Sequence, residues 1–62
     1  MTRTQHVLSL LKQGSYSKHD LAQLIGRKMG RKWSIAVIEG DIRTLRQSVN
    51  IHQDDNLFTI IN

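Results

Sequence analysis

Four cations, Arg27, Lys28, Arg31 and Lys32, stand within six residues of one another in a chain that has no cysteine. Cations at that density neutralise phosphate groups, which supplies affinity for a polyanion but no sequence discrimination. Farther along, Arg43 and Gln47 carry side chains suited to paired hydrogen bonds with base edges, arginine with guanine and glutamine with adenine. Ala36 and Val37, between the two groups, are small and apolar and can pack on thymine methyls. Each feature also has a plainer reading. The cations can be a solvated charged surface, and Arg43 can pair with Glu39 one helical turn back.

Other chemistries find little support. His6, His19 and His52 fall on separate predicted elements, and none has a second ligand at metal-binding spacing. Gly26 and Gly30 follow a helical pattern, whereas a glycine loop that cradles phosphate follows a strand. The sequence points away from an enzyme, and no catalytic residue, metal, cofactor or small-molecule ligand is expected. Without cysteine there is neither a disulfide framework nor a thiolate metal site. The 62 residues make one small domain, 1–62, near the lower size limit at which packing alone sustains a core. A net charge of +4 on so small a domain suggests a polyanionic partner, usually nucleic acid. No apolar run is long enough for a membrane span or a signal peptide, so the cytoplasm is the expected location.

The segment Arg31–Gln47 must present the candidate residues. Ser34 can cap a helix there, and Ile35, Ile38, Ile42 and Leu45 then share one face at helical spacing. The opposite face holds Ala36, Val37, Gly40, Arg43, Thr44 and Gln47. A helix over 35–47 with an apolar back and a slim front is shaped to lie in a groove.

Upstream, Thr2 and Gln5 have capping-box spacing for a first helix over 3–13. Val7, Leu8, Leu10 and Leu11 stripe it, and Gly14 in a left-handed conformation ends it. Ser15 and Tyr16 connect to a second helix over 18–29, where Ser17 and Asp20 form another capping box and Tyr16 staples onto Leu21. Leu21, Ala22, Leu24, Ile25 and Met29 line its inner face, and Gly30 stops it. The alternative ends this helix at Gly26 and leaves 27–33 as a loop. Trp33 either closes the core by stapling onto Ile38 or stacks on an unpaired base.

After Gln47 the period becomes alternating, which predicts a hairpin over 48–61. A two-residue turn at Asp54 and Asp55 pairs Ile51 with Phe58 and Val49 with Ile60, and all four share a face. A lone hairpin would not persist in water, so this one must close onto the helices. Leu57 and Ile61 are left on its outer side.

Asp20-Leu21-Ala22-Gln23-Leu24-Ile25-Gly26 resembles the second helix of bacterial winged-helix repressors. The run Ile38 to Arg46 is similar to their recognition helix, which reads apolar-x-x-Asp-apolar-Arg-x-Leu. The resemblance covers nearly the whole chain. It implies an α+β fold: a three-helix bundle with a helix-turn-helix, followed by a C-terminal β-hairpin wing. It also implies double-stranded DNA as partner, in bacterial or phage transcription regulation, with the third helix in the major groove. By that resemblance Ser34, Ala36, Val37, Arg43, Thr44 and Gln47 lie at or near groove-facing positions, and Arg27, Lys28, Arg31 and Lys32 fall to phosphates. Asp54 and Asp55 at the wing tip should repel phosphate.

A competing expectation comes from Ala36, Gly40 and Thr44, which recur at four-residue spacing and would let two helices approach closely. That suits a protein-interaction or dimerisation module without specific DNA binding. A homodimer through the hairpin or the first helix is also expected, because single recognition helices usually gain affinity on paired half-sites.

Overall fold

Each helix begins on a hydroxyl residue. In the computed structural model, which describes residues 1–61, the Thr2 hydroxyl accepts the Gln5 N–H at 3.2 Å and the Gln5 side chain accepts the Thr2 N–H at 2.8 Å. Both halves of the expected capping box therefore form, and α1 runs Arg3–Gln13. Ser17 accepts the Asp20 N–H at 3.1 Å to start α2 (Lys18–Met29), and Ser34 accepts the Val37 N–H at 3.3 Å to start α3 (Ile35–Leu45). At Ser17 only this half of the predicted box is made.

Gly14 does not take the expected left-handed conformation. It is extended (φ 175°, ψ −163°), and its N–H closes on the Leu10 carbonyl at 3.2 Å. The extended exit leads directly into β1 (Tyr16–Ser17), a short strand where the sequence suggested a plain connector.

α2 continues through Gly26 to Met29 rather than stopping early. Gly30 is left-handed (φ 68°, ψ 30°), and its N–H and that of Arg31 both donate to the Gly26 carbonyl. The chain doubles back so tightly that a β-carbon at Gly26 would lie 2.5 Å from the Arg31 carbonyl oxygen. Gly26, which looks like a weakness in a helix, is required by that approach.

α3 ends at Leu45, two residues short of the predicted Gln47. The Ser48 and Val49 N–H groups both reach the Leu45 carbonyl (3.0 and 2.9 Å), and this tight turn sends the chain into β2 (Ile51–Asp54). β2 pairs antiparallel with β3 (Leu57–Ile60), which pairs in turn with β1, giving the order β1-β3-β2. The hairpin turn falls on Asp55 and Asn56, not on Asp54 and Asp55. Ile51 therefore faces Ile60, and Gln53 faces Phe58. Asp55 adopts φ 58°, a left-handed conformation that Asp and Asn tolerate better than other non-glycine residues. The pairing moves by two residues, so no side chain changes face. Ile51, Phe58 and Ile60 still turn toward the helices, as predicted.

The core joins Val7, Leu10 and Leu11 of α1 to Leu21, Ala22 and Ile25 of α2, Ile38, Ile42 and Leu45 of α3, and Phe58 of β3. Burying each of the larger side chains stabilises the fold by about 1.5–3 kcal/mol. Tyr16, Leu24, Met29, Trp33 and Val49 pack around that cluster. The result is the predicted α+β winged-helix arrangement, a three-helix bundle closed by a C-terminal hairpin wing. Among the described residues no helix is long and apolar enough to cross a membrane.

Candidate nucleic-acid interface

The two faces of α3 separate as its spacing requires. Ile38 and Ile42 are buried and Ile35 is half-buried against the core. Ala36, Gly40, Arg43 and Thr44 are exposed, and Val37 is half-buried. A β-carbon built at Gly40 meets nothing within 4 Å, so this narrow side stands clear of the hairpin and the other helices. The Thr44 hydroxyl donates to the Gly40 carbonyl at 3.0 Å, a bond within the helix that leaves the residue exposed. Gln47 is exposed but lies beyond the helix, in the turn, with its N–H on the Thr44 carbonyl at 3.3 Å. Its expected helical alignment with Arg43 is therefore not made.

The plainer alternative for Arg43, a pair with Glu39, does not form. Lys18, at the start of α2, takes the Glu39 carboxylate at 2.9 Å. That hydrogen bond and the Lys18 charge hold the Glu39 carboxyl below its ordinary range, and Arg43 adds only a smaller pull through space. Arg43 is thus left exposed and free of an ion pair among the described residues. It shares a cleft of about 200 Å³ with Lys18, Arg46 and Gln53, between α3 and the wing. Lys18 and Arg46 are cations that the sequence reading did not single out. Arg46 sits over the Phe58 ring, 5.8 Å from its centre, a contact that needs the hairpin in place.

On the inward side Asp41 is 5% exposed. Arg3 of α1 reaches it with Nε on Oδ2 and Nη2 on Oδ1 (3.1 Å), and the Thr4 hydroxyl donates to the same Oδ1 at 3.3 Å. The hydrogen bond to Asp41, and its charge, raise the Arg3 guanidinium above its usual value against the opposing effect of burial. Arg3 also lies over the Trp33 ring, 4.7 Å from its centre, and Arg31 lies 4.5 Å from the same centre. Contacts of this kind contribute about 0.5–1 kcal/mol at exposed sites. Trp33 is half-buried against the core, so it acts as a packing residue that seats two guanidiniums.

Comparison of the chain with family models, curated proteins and solved structures finds no match.

The four clustered cations do not all line one groove. Arg27, Arg31 and Lys32 rim an open groove of about 630 Å³ whose floor is Ala22, Gly26 and Trp33. Lys28 is exposed but does not line it, and Arg43 belongs to the other cleft. Ser34 stands between the groove and the narrow side of α3, its hydroxyl engaged as the cap. His19 and His52 are exposed and His6 is half-buried, on α2, β2 and α1.

Proposed function

We propose that the chain binds double-stranded DNA, as a small regulator of transcription, with the narrow side of α3 in the major groove. The observation that carries this reading is the bare strip of Ala36, Gly40 and Thr44 on a helix whose back packs on the core, flanked by Arg43, which has no ion pair among the described residues. A helix that offers backbone-thin surface beside a free guanidinium can approach base edges closely. Ser34, Ala36 and Val37 then lie at the leading end of α3, whose backbone N–H groups and dipole favour phosphate. Arg43 addresses a guanine edge, and Lys18 and Arg46 stand beside it for the strand passing the wing. Arg27, Lys28, Arg31 and Lys32 neutralise phosphates at the entrance of the helix. Gln47, outside the helix, has a backbone-adjacent role rather than a base-reading one.

Titration of labelled duplex at two salt concentrations tests this. Arg31→Ala with Lys32→Ala should lower affinity for every duplex and reduce the salt slope by about 2, one ion release for each contact removed. An unchanged slope would remove the phosphate assignment.

The second reading, a protein-interaction or dimer face on α3, draws on the same open space at Gly40. Gly40→Arg separates the two. It should abolish self-association if this strip is a helix-helix contact, and alter duplex affinity with oligomeric state unchanged if it reads DNA.

A further inference from the structure

The wing tip and the basic groove have opposite character, and neither is satisfied within one copy of the chain. Asp54 and Asp55 are exposed, and Leu57 beside them is 45% exposed. Asp54 and Leu57 are register partners across the hairpin, so their side chains leave the same face of the tip together. The tip therefore presents a carboxylate and an apolar side chain side by side, with a second carboxylate at the turn.

The groove presents the matching pattern. Its floor is apolar, formed by Ala22, Gly26 and Trp33, and its rim holds Arg27, Arg31 and Lys32. None of these three cations has an ion-pair partner among the described residues, and no ion pair joins tip to groove within the molecule. The Arg31 guanidinium is already seated on the Trp33 ring, so little further freedom is lost when it accepts a carboxylate.

We propose that the wing tip of one copy of this chain docks in the groove of a second copy. Leu57 covers the apolar floor, and Asp54 and Asp55 meet the rim cations. The occupant is a second copy because the chain itself carries a narrow, protruding element with the charge and apolar content that the groove lacks. Two grooves repel each other, as do two tips, so of these two surfaces the favoured pairing is tip to groove. The contact uses cations that the DNA reading gives to phosphate, so binding a neighbour and binding a duplex exclude one another. It does not depend on that reading, and its test contains no DNA.

Sedimentation velocity at low salt, from about 10 μM to about 1 mM, covers the range for a small charge-rich contact. The wild-type chain should associate with rising concentration and disperse at high salt. D54N/D55N and R27Q/R31Q should each weaken association on the order of tenfold, the effect of two lost rim pairs. Asparagine keeps the left-handed turn residue, and unchanged thermal melting shows that each variant is folded. Mixed in equal amounts, the two variants should associate more tightly than either does alone, because one intact tip then meets one intact groove. A wild-type chain that stays monomeric to the highest concentration overturns the proposal. So do variants that associate as the wild type does, which would move the contact to another surface.

Discussion

On one side of α3, Ile38, Ile42 and Leu45 are sealed in the core and Asp41 is tied to Arg3; on the other, Ala36, Gly40 and Thr44 are exposed and Gly40 has empty space above it. The first side is over-determined by packing and by an ion pair that crosses 38 residues of sequence. On the second, Thr44 bonds within its own helix, to the Gly40 carbonyl, and among the described residues no side-chain hydrogen bond ties Ala36, Gly40 or Thr44 to another element. Substitutions on the inner side should therefore be read in stability, and those on the outer side in binding. That separation makes the functional proposal testable in a domain with little stability to spare.

The largest effect is expected from Ile38→Ala. Removing a fully buried isoleucine should destabilise the domain by about 3 kcal/mol, enough to leave much of a chain this small unfolded in a urea titration. Arg3→Met comes next. It keeps the packing of the stem but strands the Asp41 carboxylate, with only the Thr4 hydroxyl left as partner. Because water reaches Arg3, the expected loss is about 1–3 kcal/mol. Adding Asp41→Asn should recover part of it, which a double-mutant cycle would measure.

On the outer side the pattern should invert. Arg43→Ala should leave stability within about 0.5 kcal/mol yet remove about 1–3 kcal/mol of discrimination between preferred and random duplex. Equal weakening on both duplexes would turn Arg43 into a phosphate contact. A loss of stability instead would break the division between the two sides of the helix.

The smallest effect belongs to Glu39→Gln. The folded-state carboxyl is lowered by Lys18, so its contribution is present above the unfolded-state value and fades as pH falls through the folded one. Thermal melts of variant and wild type should differ slightly at neutral pH and low salt. They should converge in acid, below the usual carboxylate range, and at high salt.

The helices were legible because local signals coincide with global ones. Thr2, Ser17 and Ser34 cap where they stand in sequence, and the isoleucine spacing of α3 names its buried face without reference to any partner. The hairpin was legible in face but not in register. Alternation fixes which residues turn inward, but the period is the same for a turn at Asp54 and Asp55 as for the observed one at Asp55 and Asn56, where Asp55 takes φ 58°. β1 was not legible, since two residues carry no period and pair only once β3 arrives.

At the candidate site, the sequence alone determined that α3 has a slim face with Arg43 on it and that cations precede its cap. It also held an unread signal: Asp41 falls three residues after Ile38 and four before Leu45, a charge at an inward position that must find a cation. Only the tertiary structure decided which cation, because Arg3 is remote in the chain and nearness across α1 and α3 is set by packing. Packing likewise gave Glu39 to Lys18, leaving Arg43 without an ion pair among the described residues, and the turn after Met29 brought Arg31 back against Gly26, which splits four neighbouring cations between a groove and open surface. Periodicity and capping act within a few residues and are written in the sequence, whereas ion-pair choice depends on distances that exist only after the core has closed.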